Sequence, residues 1–282
     1  MKKYLSKGNI ICGIITIILL LMTFSTFEGA SNSMPLIQEA VTASSDKVIP
    51  ENDGKIVIIS GRIAGEGYSA VDDTFDIEVD TPLLKRKVEV YQWVKKQGAH
   101  SQRKDDEYYE REWSDANPIL YGSNPWEKPY ENKTFYSTVK LGSYEISTDL
   151  VSKLEPLGER VTVEGLSSRT AEKFGMVLAD DFYYIYQDLD VDYVEVGDAR
   201  ISYSALDISD LREITILAKQ EGNMLVADVF PIGNIYAGIL GIDEVTSKAA
   251  EDVAYAKWTA LILTFIFALI TAYITWNNSR RS

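Results

Sequence analysis

The sequence predicts an α+β protein: a β-rich extracytoplasmic domain, with signs of two duplicated β units, held between two transmembrane helices. Three observations predict it. Charge-free apolar runs lie near both ends of the 282 residues. Between them come short β-branched or aromatic segments bounded by Gly, Asp, Asn or Pro. All 42 acidic residues fall in that interval.

Taken in order, residues 1–9 are a basic cytosolic start, and residues 10–27 the first span, opening IICGIITIILLLMTF. This span reads as a retained anchor, because cleavage at the nearest small-residue site, Glu28-Gly29-Ala30, would set a carboxylate where a signal peptidase needs a small residue. Residues 28–53 form a linker with a short helix around Pro35–Ala43. Residues 54–140 make the first β unit, with strands at Lys55–Ser60, Lys87–Val94 and Tyr108–Ser114. Residues 141–157 are a helical connection, Ser147–Leu154, capped by Ser147 or Thr148 and stopped by Pro156. Residues 158–241 make the second β unit, with strands at Arg160–Glu164, Phe182–Gln187, Ala199–Ala205 and Glu213–Ala218. Residues 242–257 are a juxtamembrane helix with an apolar stripe of Ile242, Val245, Ala249 and Val253. It runs unbroken into the second span, residues 258–276, which is long enough for a hydrocarbon core of about 30 Å and has Trp258, Tyr273 and Trp276 near its ends. Residues 277–282 are a cytosolic tail.

Lys2, Lys3 and Lys7 precede the first span and Arg280 and Arg281 follow the second, so both termini are expected in the cytosol of an integral membrane protein. The loop between holds every acidic residue and all but five of the 28 basic ones, a formal charge of −19. Such a domain repels nucleic acid, whose binding rests on neutralising phosphates. Lys85-Arg86-Lys87 is a local basic patch, read as a solvated strand edge. The single cysteine, Cys12, lies in the first span, and the single histidine, His100, in a polar turn, which excludes a disulfide and a His/Cys zinc site. Asp188, Asp190 and Asp192 open like a calcium loop, but Tyr193 and Ala199 stand where it needs Gly and Glu. No nucleophile elbow, P-loop or dinucleotide fingerprint occurs. We therefore assign no catalytic, cofactor-binding or metal residue and expect a non-enzymatic protein. Asn132-Lys133-Thr134 is a glycosylation acceptor pattern.

Gly54–Gly61 and Gly158–Gly165 each close a strand with Gly at the same spacing, which suggests duplication. Residues 87–115 read as a hairpin. One face of its first strand carries Glu89, Tyr91 and Trp93, and Tyr109, Arg111 and Trp113 share a face of the second. An even register sets Arg111 beside Glu89 or Tyr91, with the aromatics as internal packing of the sheet.

The blocks Val88-Glu89-Val90-Tyr91-Gln92-Trp93 and Glu195-Val196-Gly197-Asp198-Ala199-Arg200 carry a resemblance to the LUMA (transmembrane protein 43) family. Glu112-Trp113-Ser114, Asn52–Val57, Asn124-Pro125 and Ile214–Gln220 support it in order and spacing. The family's animal members look like four-span proteins with three spans at the carboxyl end, where this sequence has one. The resemblance implies a membrane-organising scaffold that self-associates as a homo-oligomer and binds other membrane proteins through its outer domain. It implies a structural role for the motif residues Glu89, Tyr91, Gln92, Trp93, Trp113, Glu195, Gly197, Asp198 and Arg200. The short basic start and the length suggest a bacterial cell membrane, with endoplasmic reticulum or nuclear envelope as the setting in a eukaryote. The alternatives are a domain sensing a glycan or lipid headgroup through its aromatic face, and a carboxylate-dependent enzyme on cell-surface substrates.

Overall fold

The structure, a computed structural model, describes residues 7–63, 67–97, 107–116, 128–187, 193–211 and 213–280. The chain forms two compact units from interleaved segments, one of residues 1–63, 140–153 and 212–282, the other of 64–139 and 154–211.

The first unit holds both long helices, α1 (Lys7–Gln38) and α4 (Ile242–Arg280), elements being numbered in chain order. Among the described residues one helix, Ile242–Ile274 within α4, is long and apolar enough to cross a membrane, and α1 carries a shorter apolar stretch, Gly13–Ser25. The two helices pack antiparallel. Thr16 Oγ1 meets Thr271 Oγ1 at 3.0 Å, and Thr23 Oγ1 meets Thr264 Oγ1 at 2.8 Å. Seven residues separate the threonines on each helix, two turns, so both pairs fall on one seam. Each threonine hydroxyl has one proton, so within a pair one donates across the seam while the other donates to a carbonyl one turn back, the available acceptors being Leu19 for Thr23, Ala260 for Thr264 and Phe267 for Thr271.

The sheet of this unit runs β1 (Val41–Ser44), β2 (Ile56–Gly61), β14 (Ile214–Glu221), β15 (Met224–Val226), β9 (Tyr144–Ile146), β8 (Val139–Leu141), with β16 (Asn234–Ala237) also on β14. The β-branched run of β2 buries Val57, Ile58 and Ile59, and so points apolar groups to both faces, as a central strand requires. Ile37 at the end of α1 and Val245 and Ala249 at the start of α4 pack on Ile58, Leu217 and Ile232. The linker expected at 28–53 is therefore structured: α1 continues to Gln38, and β1 pairs parallel with β2, because Ile37 finds an apolar surface there. A short helix, α2 (Thr148–Val151), stands at the expected helical connection and passes into a 3-10 turn, Ser152–Leu154.

The second unit contains a sheet ordered β11 (Val177–Ala179), β12 (Phe182–Ile185), β13 (Ala199–Asp207), β5 (Leu83–Gln97), β6 (Glu107–Ser114), with β10 (Glu159–Thr162) on β13 and β7 (Lys133–Tyr136) on β5. A two-stranded ribbon, β3 (Ala70–Asp72) and β4 (Ile77–Val79), and α3 (Ser168–Phe174) complete it. Gly175 ends α3 in the left-handed region at φ 67°, where a Cβ would be strained. One face of the sheet is buried: Leu84, Val88, Tyr183, Ile201 and Tyr203 pack with Phe75, Ile77 and Met176.

The units cut across the expected 54–140 and 158–241 division, because β2 pairs with β14 and β5 with β13, each from the opposite half of the chain. The two segments that suggested duplication also differ in setting. β2 is a buried central strand, whereas every residue of β10 is exposed. Arg86, expected in a solvated patch, is 6% exposed and its guanidinium donates to Asp72 Oδ2 at 2.6 Å. Tyr203 donates to the same oxygen at 2.8 Å, and Phe75 and Phe135 flank the guanidinium at 5.2 and 5.5 Å. A buried cation is tolerable only with such a carboxylate and ring faces around it. His100 and Asp188, Asp190 and Asp192 lie outside the described residues.

Candidate functional site

The outer face of the β12–β13–β5–β6 sheet brings charged and aromatic side chains together. Period-two alternation sends Val88, Val90 and Gln92 of β5 inward and Glu89, Tyr91 and Trp93 outward. On β13 the parity reverses, with Ala199, Ile201 and Tyr203 inward and Arg200 outward. Register then aligns Arg200 with Glu89, Tyr91 with Trp113 and Trp93 with Arg111.

Arg200 is the centre. Its Nε donates to Glu89 Oε2 at 2.8 Å, while its guanidinium lies 4.7 Å from the Trp113 ring centroid and 4.3 Å from that of Phe182. Planar, weakly hydrated guanidinium suits a slot between rings, where ammonium would not. Lys87 donates to the other oxygen of Glu89 at 2.8 Å. Burial raises the Glu89 carboxyl, but hydrogen bonds from Lys87 and Arg200, with their charges, outweigh it and hold the group below its ordinary value. Around this pair the rings form a chain. Tyr91 to Trp113 is 5.4 Å, Trp113 to Tyr184 is 5.8 Å edge-on, and Tyr184 to Tyr186 is 5.8 Å stacked. Arg111 lies 5.4 Å from the Trp93 ring, which is 43% exposed.

The second motif supplies the corner that holds this face in place. Asp198 is 2% exposed, and its carboxylate accepts from the backbone N–H of Gln187 at 2.9 Å and of Glu195 at 2.7 Å. Gly197, at φ 110°, donates to the Tyr91 carbonyl at 2.9 Å, and Tyr91 N–H donates to the Asp198 carbonyl at 2.8 Å. Only glycine takes that backbone conformation readily. Gln92 points inward and donates to the Ala116 carbonyl at 3.0 Å.

The nine motif residues thus gather in one region of one sheet, although three separate stretches of the sequence, around Tyr91, Trp113 and Asp198, supply them. The expected placement of Arg111 beside Glu89 or Tyr91 is corrected. The even register holds, but Arg111 meets Trp93, and Glu89 is taken by Arg200. The expectation that these aromatics are internal packing is corrected too, since they occupy the outer face at partial exposure. Phe182, Tyr184 and Tyr186 belong to this face as well, although they lie outside the motif blocks. Their alternation in FYYIYQ carried the signal, since Phe182, Tyr184 and Tyr186 share one strand face. Among the described residues no group of three or more His, Cys, Asp or Glu stands ready for a metal ion.

The sequence model of a protein family described as Transmembrane protein 43 matches residues 90–279, two thirds of the chain. The chain is 24% identical over 288 residues to Transmembrane protein 43 of Rattus norvegicus, covering 90% of this chain and 70% of the rat protein. It is 23% identical to the Homo sapiens protein over 288 residues, with the same coverage. Against the Drosophila melanogaster homolog it is 28% identical over 228 residues, 73% of this chain and 58% of that one. No solved structure matches.

Proposed function

Given that the chain belongs to the transmembrane protein 43 family, we propose that it is a non-enzymatic membrane-organising scaffold, self-associating and binding other membrane proteins through the outer face of its second unit. The observation that carries this reading is the Arg200 face. Trp, Tyr and Arg are the residue types that concentrate binding energy at protein interfaces, and here they stand together on a sheet face with Trp93 open to solvent. Two membrane spans and cytosolic termini are part of the proposal. The antiparallel threonine register supports it, because it brings the amino end of α1 and the carboxyl end of α4 to the same end of the helix pair. Exposed apolar groups on both helices, such as Leu21, Phe24, Phe265 and Leu269, suit lipid rather than water. A bacterial cell membrane is the proposed setting.

Crosslinking the full chain in its native membrane tests the proposal. Discrete oligomers or adducts with other membrane proteins are expected, and they should weaken in Trp93→Ala. A species that stays monomeric and captures no membrane protein would refute it. The exposure of Trp93 also favours a second reading, recognition of a glycan by the aromatic face; quenching of tryptophan fluorescence by added oligosaccharide, lost in Trp93→Phe, would distinguish it.

A further inference from the structure

A groove of about 510 Å³ opens in the first unit where α4 passes from its charged to its charge-free part. Six charged residues, from Asp243 to Lys257, fill the opening turns of α4, and none follows from Trp258 to Asn278. The groove straddles that boundary. At its polar end lie Asp252, Asn234, Phe230 and Tyr255; at its apolar end, Ala260 and Leu263.

The Asp252 carboxylate is held in position. Oδ2 accepts from Asn234 Nδ2 at 2.8 Å and from the Tyr236 hydroxyl at 3.1 Å, which, among the described residues, leaves Oδ1 to receive a further donor. Phe230 and Tyr255 are 43% and 76% exposed, so two aromatic rings at the mouth remain open to solvent. A carboxylate oxygen beside open aromatic faces recognises an ammonium group, by charge-assisted hydrogen bonding and by cation–π attraction together. Along the helix axis Thr259 lies about 10 Å below Asp252, and Leu263 about 16 Å below it. That descent matches a lipid whose ammonium sits in the headgroup region, whose esters lie at the level of a hydroxyl, and whose acyl chains run down an apolar wall.

We propose that this groove binds the primary ammonium headgroup of a phosphatidylethanolamine-type lipid, with Asp252 as the ammonium acceptor, Tyr255 and Phe230 as the flanking rings, and Ala260 and Leu263 against an acyl chain. Three donors on the primary ammonium match the carboxylate; a quaternary choline has no donor to offer, and an anionic glycerol headgroup is repelled. The site rests on α4 crossing the bilayer and is independent of self-association.

Native mass spectrometry of the full chain released from nanodiscs of equal phosphatidylethanolamine, phosphatidylcholine and phosphatidylglycerol tests it. Phosphatidylethanolamine should be retained about tenfold over the other two. Asp252→Asn should abolish that preference, and Tyr255→Leu, at an exposed position that leaves the fold intact, should lower it about threefold to fivefold. Equal retention of the three lipids, preference for either of the others, or an unchanged preference in Tyr255→Leu would overturn the proposal. Crosslinking of the same samples reads self-association separately, so the two proposals fail independently.

Discussion

Arg200 shows what a single side chain contributes when ring faces and a carboxylate converge on it. Lysine at this position would keep the charge and lose the planar stacking and the directed Nε–H bond, leaving the buried Glu89 with Lys87 alone. Arg200→Lys should therefore cost about 2 kcal/mol, seen as a lower melting temperature of the detergent-solubilised chain. Glu89 also sets a pH dependence. Its carboxyl is held below its ordinary value of 4.5, so the native state binds fewer protons than the unfolded one, and the contribution is complete above that value. It is lost as pH falls through the depressed value. The melting temperature of Glu89→Gln should consequently lie below that of the parent at neutral pH, with the gap closing in acid. In the buried triad, Tyr203→Phe removes one donor from Asp72 and should cost about 1 kcal/mol, whereas Arg86→Met strands the carboxylate and should cost about 3 to 5 kcal/mol. Both follow from urea titration of the same chain. Little of this was legible in sequence. Arg86 looked like one of three solvated cations, because nothing local announces that Asp72, 14 residues earlier, and Tyr203, on another strand, will meet it.

Elements were legible where local chemistry decides them. The strands around Ile58, Val90, Ile201 and Leu217 were readable because their β-branched and aromatic runs suit a pleated, buried surface, and their observed bounds shift by up to a few residues. Three-residue strands such as β11 and β15 are too short to carry such a pattern, whereas β12 is within the expected Phe182–Gln187 strand. β11 and β12 are joined by Asp180-Asp181, both at positive φ, a two-residue turn that lacks the usual Asn-Gly or Asp-Gly mark. β14 and β15 turn through Gly222-Asn223, a signal that was present but attached to a three-residue strand. The helix pair was visible as two apolar runs, but its seam was not, since a threonine in a leucine-rich helix announces no partner. The pairing is testable in a chain lacking Cys12. Thr23→Cys with Thr264→Cys should form an intramolecular disulfide on oxidation, while Thr23→Cys with Thr271→Cys, two turns out of register, should not, as read by gel mobility without reductant.

At the scale of the whole molecule, the acidic interval and its apolar ends follow from composition, whereas the division into units does not, because strand pairing depends on partners far along the chain. β2 has β14 as its antiparallel neighbour, more than 150 residues later, and β5 has β13. A fragment of residues 54–140 should for this reason fail to fold, giving a narrow amide spectrum by NMR, whereas a division by sequence halves would make it a domain. The same interleaving orders events during synthesis. Every residue of the second unit precedes residue 212, and the first unit requires β14, β16 and α4, all of which follow it. As the ribosome proceeds, the second unit has its full complement of strands while β1 and β2 still wait for a partner not yet made. The nascent chain thus carries an open sheet edge on β2 until β14 has been made, and that interval is when pairing with a wrong strand is easiest and a chaperone has most to protect.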